Sequence, residues 1–131
     1  MTLAVNLVSP EAVLYEGEAA MVVARTTSGG DIAFQTGHQP FLGGLGVWPV
    51  RLILEGGGEV RFAVHGGFVE VSGDRVIVLS DVAEVAAEID VDRARAAKAA
   101  AEEALRADAD DANAEAALAR ANVRLEVAGA S

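Results

Sequence analysis

The sequence contains no cysteine, which excludes disulfide bonds and metal sites built on thiolates. It has no run of 18 consecutive apolar residues, and it therefore predicts no helix that crosses a bilayer. Residues 1–6 lack the basic start and unbroken apolar run of a signal peptide, so we expect none. The chain must therefore fold on its apolar core, without disulfides or thiolate-bound metal.

Basic residues are scarce as well. Ten Lys and Arg stand against twenty Asp and Glu, and the net charge of the 131 residues is −10. Residues 1–83 hold nine acids and four bases, and residues 84–131 hold eleven acids and six bases, so neither part offsets the other. An acidic surface without a basic patch repels nucleic acid and anionic lipid. We therefore expect no nucleic-acid partner and no direct membrane insertion.

Motifs for catalysis or metal binding are also absent from the sequence. His38 and His65 lie far apart, and no His-Glu pair at helical spacing accompanies them. The glycine-rich segments 43–46 and 56–58 lack the Lys-Ser/Thr of a phosphate loop, which favours turns and close backbone contacts instead. No serine lies in a glycine-flanked nucleophile elbow. We expect no catalytic residue, no metal site and no enzyme activity.

The apolar pattern changes between residues 80 and 89, and this change divides the molecule in two. Before it, turn-forming residues bound six apolar segments of strand length: 3–8, 21–24, 47–54, 60–64, 68–71 and 76–79. After it, residues 89–128 contain no proline or glycine and are rich in alanine, the strongest helix former. The pattern predicts an antiparallel β-sandwich over residues 1–84 and an α-helical hairpin over residues 85–131.

Glycines organise the predicted sandwich. Segments 28–31, 55–59 and 72–74 predict hairpin turns, because glycine adopts positive φ at little cost. Gly66 and Gly67 interrupt what would otherwise be one strand from Val60 to Val71. They are compatible with a bulge or corner that carries the chain from one sheet to the other, and equally with a simple loop.

The predicted hairpin has clear ends but few large apolar side chains. Asp90 is a good N-cap for the first helix, and the acidic segment 108–111 connects it to the second. Alanine keeps each helix intact without a partner, whereas only a few valines and leucines can hold the helices to the sandwich. Two alternatives stay open: helices that detach as units, and a hairpin that is permanently docked.

One loop differs from the other turns. Residues 37–42 read Gly-His-Gln-Pro-Phe-Leu, in which Gly37 permits a sharp entry and Pro40 stiffens the chain. Two bulky apolar residues follow, and they are hard to explain in a solvent-facing linker. A rigid loop with an apolar tip on a sandwich is typical of a docking element.

In this loop and in several other blocks the chain closely resembles the epsilon subunit of bacterial F-type ATP synthases. The matching blocks are 8–10, 30–42, 66–71, 78–83 and the terminal hairpin, so the resemblance covers nearly the whole length. It implies a ten-stranded sandwich of two five-stranded sheets that binds the gamma subunit and rests on the membrane rotor ring of c subunits. The protein would then be a peripheral, non-catalytic rotor subunit at the cytoplasmic face of the bacterial plasma membrane.

The resemblance also implies contact residues. In the family, the block around residues 31–42 lies near the polar loops of the ring and the foot of gamma, which assigns to contact Asp31, His38, Gln39, Pro40 and Phe41. For Asp31, a simple turn residue is an equal alternative. The helical tail of family members either folds against the sandwich or extends into the alpha/beta catalytic head and suppresses ATP hydrolysis. Arg120 and Arg124 are the candidates for that inhibitory contact.

Some family members bind regulatory ATP in the folded-down state through a motif that segment 89–94, Ile-Asp-Val-Asp-Arg-Ala, matches fully. The resemblance therefore gives a nucleotide-binding set of Glu84, Ile89, Asp90, Arg93, Ala94, Arg120 and Arg124. Ala100 replaces a further arginine of the nucleotide-binding members, so we expect weak binding and no required cofactor. The alternative is that Asp90 only caps a helix and Arg93 pairs with Glu88 or Asp92.

The expected function is to couple proton-driven rotation of the ring to ATP synthesis and to restrain hydrolysis through the mobile helices. The second helix carries only two bases beside Glu115 and Glu126, which predicts a weak brake. A free-standing scaffold or chaperone-like binding module is the alternative function.

Overall fold

The computed structural model describes residues 2–27 and 30–130. The elements in chain order are β1 (Leu3–Val8), β2 (Val13–Ala19), β3 (Met21–Thr26), β4 (Gly30–Phe34), β5 (Phe41–Ile53), β6 (Glu59–Ser72), β7 (Arg75–Leu79), β8 (Ala83–Val85), a 3₁₀ turn (Ala86–Glu88), α1 (Val91–Ala107) and α2 (Ala112–Ala128). The predicted class, a β-sandwich followed by a helical hairpin, is confirmed.

The strands form two layers that share β5 and β6. The first layer contains β2, β1, β7, the second half of β6 and the first half of β5. The second contains β8, the first half of β6, the second half of β5, β3 and β4. Each layer therefore has five strand segments, and the ten expected strands correspond to eight continuous ones in the described residues. The pairing is antiparallel except for β1 with β7, which run parallel.

The crossing of β6 between the layers depends on Gly66 and Gly67. Both lie inside the strand at positive φ, 86° and 131°, where glycine has little steric penalty. Of the two alternatives, the structure has the corner and not the loop. Turns 55–59 and 72–74 join strands as predicted, whereas Ser28 and Gly29 of the first predicted turn lie outside the described residues.

Glycines 43, 44 and 46 lie within β5, so the prediction of turns there was wrong. The expected close contacts are present, since a Cβ at Gly43 would fall 2.7 Å from the ring of Phe41 and one at Gly46 2.8 Å from that of Trp48. These glycines make room for neighbouring rings within a continuous strand.

One apolar core lies between the two layers. Alternate residues of both layers point inward and are fully buried, as in Leu3, Val5 and Leu7 of β1 and Val76 and Val78 of β7. The rings of Tyr15 on β2 and Phe62 on β6 meet edge to face across the layers, 5.3 Å apart. The core is thus built entirely from the N-terminal part of the chain.

Both helices begin at aspartate caps. The Asp90 carboxylate accepts a hydrogen bond from the Arg93 backbone N–H at 3.1 Å, and Asp111 accepts one from Ala114 at 3.0 Å. Gly129, at a φ of 76°, ends α2 in a left-handed cap. The predicted ends and connector of the hairpin are confirmed.

Candidate functional site

The hairpin packs against the outer face of the second layer. Val123 and Val127 of α2 and Ile89 before α1 form a buried cluster with Ala63 of β6. Beside this contact, a cavity of about 400 Å³ is lined by Trp48 and by residues of α2. The structure therefore holds the tail in the folded-down position, through a contact that involves few large side chains.

A polar cluster adjoins this apolar contact. Glu84 Oε1 on β8 accepts hydrogen bonds from Arg124 Nε on α2 at 2.7 Å and from His65 Nε2 on β6 at 2.9 Å. The His65 side chain is only 4% exposed. Its Nδ1 has no hydrogen-bond partner among the described residues. One carboxylate thus joins the outer surface of the second layer to the second helix.

The cluster fixes the protonation states of its members. Burial lowers the pKa of His65 and outweighs the hydrogen bond to Glu84, while the nearby charges of Arg124 and Arg120 lower it further. Burial alone would raise the pKa of Glu84, but the hydrogen bonds from Arg124 and His65 overcome it, so this pKa lies below its ordinary value. The cluster therefore contains a neutral imidazole, an ionised carboxylate and a guanidinium.

The residues of the predicted nucleotide set are only partly brought together. Glu84 and Arg124 pair with each other, Ile89 lies in the docking cluster, and Asp90 caps α1. Arg93 is exposed, and its side chain has no ion-pair partner among the described residues. Asp92 pairs with Arg95 at 3.7 Å, not with Arg93.

The two remaining members of the set form no hydrogen bond or ion pair with Glu84 among the described residues. Ala94 is buried on α1, in the interior of the hairpin, and Arg120 is exposed on α2. Within residues 2–27 and 30–130, Arg120 has no ion-pair partner. Arg93 and Arg120 therefore have free guanidinium groups, and neither one joins the Glu84–Arg124 pair.

The predicted contact loop is anchored by aromatic rings. His38 and Phe41 pack at 5.0 and 5.5 Å from the ring of the buried Phe34, so these two side chains hold the loop to the core. Gln39 and Pro40 are exposed between them. Asp31 lies on β4, where it pairs with Arg25 at 2.8 Å and has a lowered pKa because of that hydrogen bond.

Sequence reasoning missed an apolar row on the outer face of the first layer. Leu42, Phe68 and Leu79 are 69%, 58% and 48% exposed. Phe68 and Leu79 are register partners on β6 and β7, and Leu79 in turn pairs with Val8 of β1. Leu42 on β5 is diagonal to Phe68, whose direct partner is Gly44. The sequence did contain a signal for this row, since outward-facing positions on adjacent strands are apolar where polar residues are expected.

The described residues contain neither a metal-binding cluster nor a membrane-spanning helix. No three His, Asp or Glu side chains converge in a way that could hold a metal ion. Neither helix of the described chain is long and apolar enough to cross a membrane.

Comparison with family models accounts for nearly the whole chain. Residues 2–86 match the model described as ATP synthase, Delta/Epsilon chain, beta-sandwich domain. Residues 87–129 match the model described as ATP synthase, Delta/Epsilon chain, long alpha-helix domain.

Curated relatives and solved structures agree with these matches. The ATP synthase epsilon chain of Brevibacillus brevis is 47% identical over 92 residues, which cover 70% of this chain and 69% of the relative. That of Streptomyces griseus is 50% identical over 90 residues, covering 69% and 72%. A chain of the Euglena gracilis mitochondrial ATP synthase has the same fold, with a TM-score of 0.71, 22% identity and coverage of 98% of this chain and 78% of the other.

Proposed function

Because this chain belongs to the ATP synthase delta/epsilon chain family, we propose that it couples rotation of the membrane ring to ATP synthesis and restrains ATP hydrolysis. It is a non-catalytic subunit of the synthase. We assign residues 1–84 to binding of the gamma subunit and the ring of c subunits, and residues 85–131 to regulation at the alpha/beta head. The protein would be peripheral, at the cytoplasmic face of the bacterial plasma membrane.

The apolar row of Val8, Leu42, Phe68 and Leu79 is the observation that carries the binding proposal. Leu42, Phe68 and Leu79 are exposed on three strands and Val8 is half-buried on a fourth, and such an apolar row is unusual on a surface of net charge −10 and typical of a protein interface. The hairpin covers the opposite outer face, so this row stays accessible in the folded-down state. We assign it to the gamma subunit.

Exchange of Phe68 for serine tests this assignment. Phe68→Ser removes the largest side chain of the row without touching the core, and we expect affinity for the gamma subunit to fall about 30-fold, a loss typical of an aromatic interface anchor. Trp48→Ser is the matched control, since Trp48 is 43% exposed but lies beside the hairpin. Equal affinities of the two variants in calorimetric titration with gamma would remove the row from the interface.

The contact loop is assigned to the ring and the foot of gamma. Gln39 and Pro40 are exposed and directly available, whereas His38 and Phe41 hold the loop in shape against Phe34. Asp31 presents its carboxylate at the surface but shares it with Arg25. These placements support a preformed loop that meets its partner without a large entropic cost.

A second proposal is weak regulatory binding of ATP by the hairpin. The free guanidinium groups of Arg93 and Arg120 support it, because a triphosphate requires convergent cations. Arg124 would have to leave Glu84 to join them, and eleven acids in residues 84–131 oppose the ligand. Both features favour a low affinity.

Isothermal calorimetry of the full chain with Mg-ATP tests this proposal. We expect a small heat of binding with a dissociation constant of about 1 mM, which corresponds to roughly 4 kcal/mol. Arg93→Ala should abolish this heat, whereas Arg75→Ala, on β7, should leave it unchanged. An absence of heat from the unsubstituted chain would exclude ATP as a ligand.

A further inference from the structure

Three side chains from three separate elements meet where the hairpin reaches the sandwich. His65 belongs to β6, Glu84 to β8 and Arg124 to α2, and the members of the ion pair are 40 positions apart in the chain. From the strands, the apolar contact beside them takes the small Ala63 and the partly buried Val47. A small apolar contact gives the position of the hairpin little directional preference, whereas a charge-assisted hydrogen bond fixes both distance and angle.

We propose that His65, Glu84 and Arg124 form a latch that holds the hairpin against the sandwich without a bound nucleotide. His65 acts as a positioning residue in this latch. Its Nε2–H holds the Glu84 carboxylate toward α2, and the ring is itself fixed by burial. Arg124 closes the latch when α2 docks. The latch deepens the proposed function, since its regulatory meaning rests on the hairpin being the brake.

The latch uses two groups that a nucleotide would also need. Glu84 and Arg124 belong to the predicted nucleotide set, and the structure occupies each of them with the other at 2.7 Å. A bound nucleotide would therefore compete with the latch for Arg124. The latch therefore stabilises the folded-down state without ATP, and ATP binding would stabilise that state less.

The latch also predicts that docking depends on pH. The groups facing His65 are Glu84 from β8 and Arg124 and Arg120 from α2. Protonation would bring a third positive charge beside the two guanidinium groups, and Nδ1 would then carry a proton without an acceptor among the described residues. Since the charges of Arg124 and Arg120 on the docked hairpin lower the pKa of His65, the undocked state binds more protons as pH falls below about 6.5. Acid therefore favours release of the hairpin.

Thiol protection in the full chain measures this latch directly. The sequence has no cysteine, so Val127→Cys gives one thiol at a position that is fully buried by docking. Its rate of reaction with a thiol reagent, divided by that of Ala116→Cys on the exposed face of α2, reports the undocked fraction. Val123→Cys provides a second probe at the same contact.

Removal of the latch should raise the undocked fraction. In the Val127→Cys background we expect Arg124→Gln to increase the relative rate about tenfold, the ratio that a charge-assisted hydrogen bond provides. Arg106→Gln is the matched control, because it removes the same charge from an exposed pair within α1. Circular dichroism should show unchanged helix content. If Arg124→Gln lowers the helix content, the relative rate is measured in Glu84→Gln instead, because this substitution leaves the sequence of the helices intact.

The pH arm uses His65→Gln, which keeps a donor for Glu84 but cannot take up a proton. With the three latch residues intact, the relative thiol reaction rate should rise several-fold between pH 7.5 and 5.5. With His65→Gln, this rate should not change over the same pH range. Equal rates for Arg124→Gln and Arg106→Gln, or rapid reaction of both buried probes in the unsubstituted latch, would overturn the proposal. These outcomes do not depend on gamma binding or hydrolysis, so the latch and the proposed function can fail separately.

Discussion

Gly67 lies inside β6 at a φ of 131°, directly behind the backbone of β7. A Cβ at this position would overlap the carbonyl oxygen of Leu79 and lie 3.0 Å from its carbonyl carbon. The same β6–β7 pairing holds Phe68 opposite Leu79 in the apolar row. One glycine therefore sets both the corner of the sandwich and the spacing of the candidate interface.

Gly67→Ala should lower the free energy of unfolding by about 3 kcal/mol or more, because backbone strain at positive φ adds to overpacking against a carbonyl that cannot move freely. Urea denaturation of the full chain, followed by circular dichroism, measures this change.

Gly66→Ala is the matched control for this substitution. Gly66 also has positive φ, but its nearest neighbour is the Leu45 carbonyl oxygen at 3.9 Å. We expect a loss of only about 1–2 kcal/mol from strain alone. Equal losses for the two variants would mean that the close approach to Leu79 contributes nothing.

Two long strands, β5 and β6, are the elements that turn a sheet into a sandwich. They pair with each other along both halves, and β6 has β8 beside its first half and β7 beside its second. The same strand therefore contributes to the apolar row at one end and to the docking face of the hairpin at the other. The second helix is similarly divided. Ala114 and Ala121 are buried, while Val123 and Val127 reach the sandwich. The candidate interface and the docking face of the hairpin therefore lie on the same continuous strands.

Some of these elements were visible in the sequence and others were not. The apolar segments of β1, β3 and β7 were predicted because they are uninterrupted. Strand β2 was missed, since Glu16, Gly17 and Glu18 break its apolar pattern and only pairing with β1 makes it a strand. Strand β8 has only three residues, which are too few to show an alternating apolar pattern. It matters for the candidate site because it carries Glu84.

The whole molecule presents two outer faces of different character. The first layer exposes the apolar row, and the second is covered by the hairpin. The main core lies between the layers and takes no residue from the helices. The sandwich should therefore keep its fold and its interface when the hairpin moves or is removed.

Deletion of the chain from Ile89 onward tests this independence. We expect gamma affinity to remain within about twofold, because the apolar row is untouched, and ATP hydrolysis by the reconstituted complex to rise modestly, about twofold. The affinity is measured by calorimetry and the hydrolysis rate by phosphate release.

A shorter deletion, from Ala112 onward, serves as the control, because it removes the docking valines of α2 but keeps α1. It should raise hydrolysis to a similar degree. A hydrolysis rate that is unchanged in both deletions would refute the proposed brake, and a loss of gamma binding would refute the separate roles of the two faces.

The sequence alone determined the family, the division into a sandwich and a hairpin, and the helix caps, because period, turn residues and capping are local properties. Only the tertiary structure decided that the hairpin is folded down, that Glu84 joins His65 to Arg124, and that Leu42, Phe68 and Leu79 form one row. These features join residues far apart in the chain. They depend on strand order and register, which no local pattern contains.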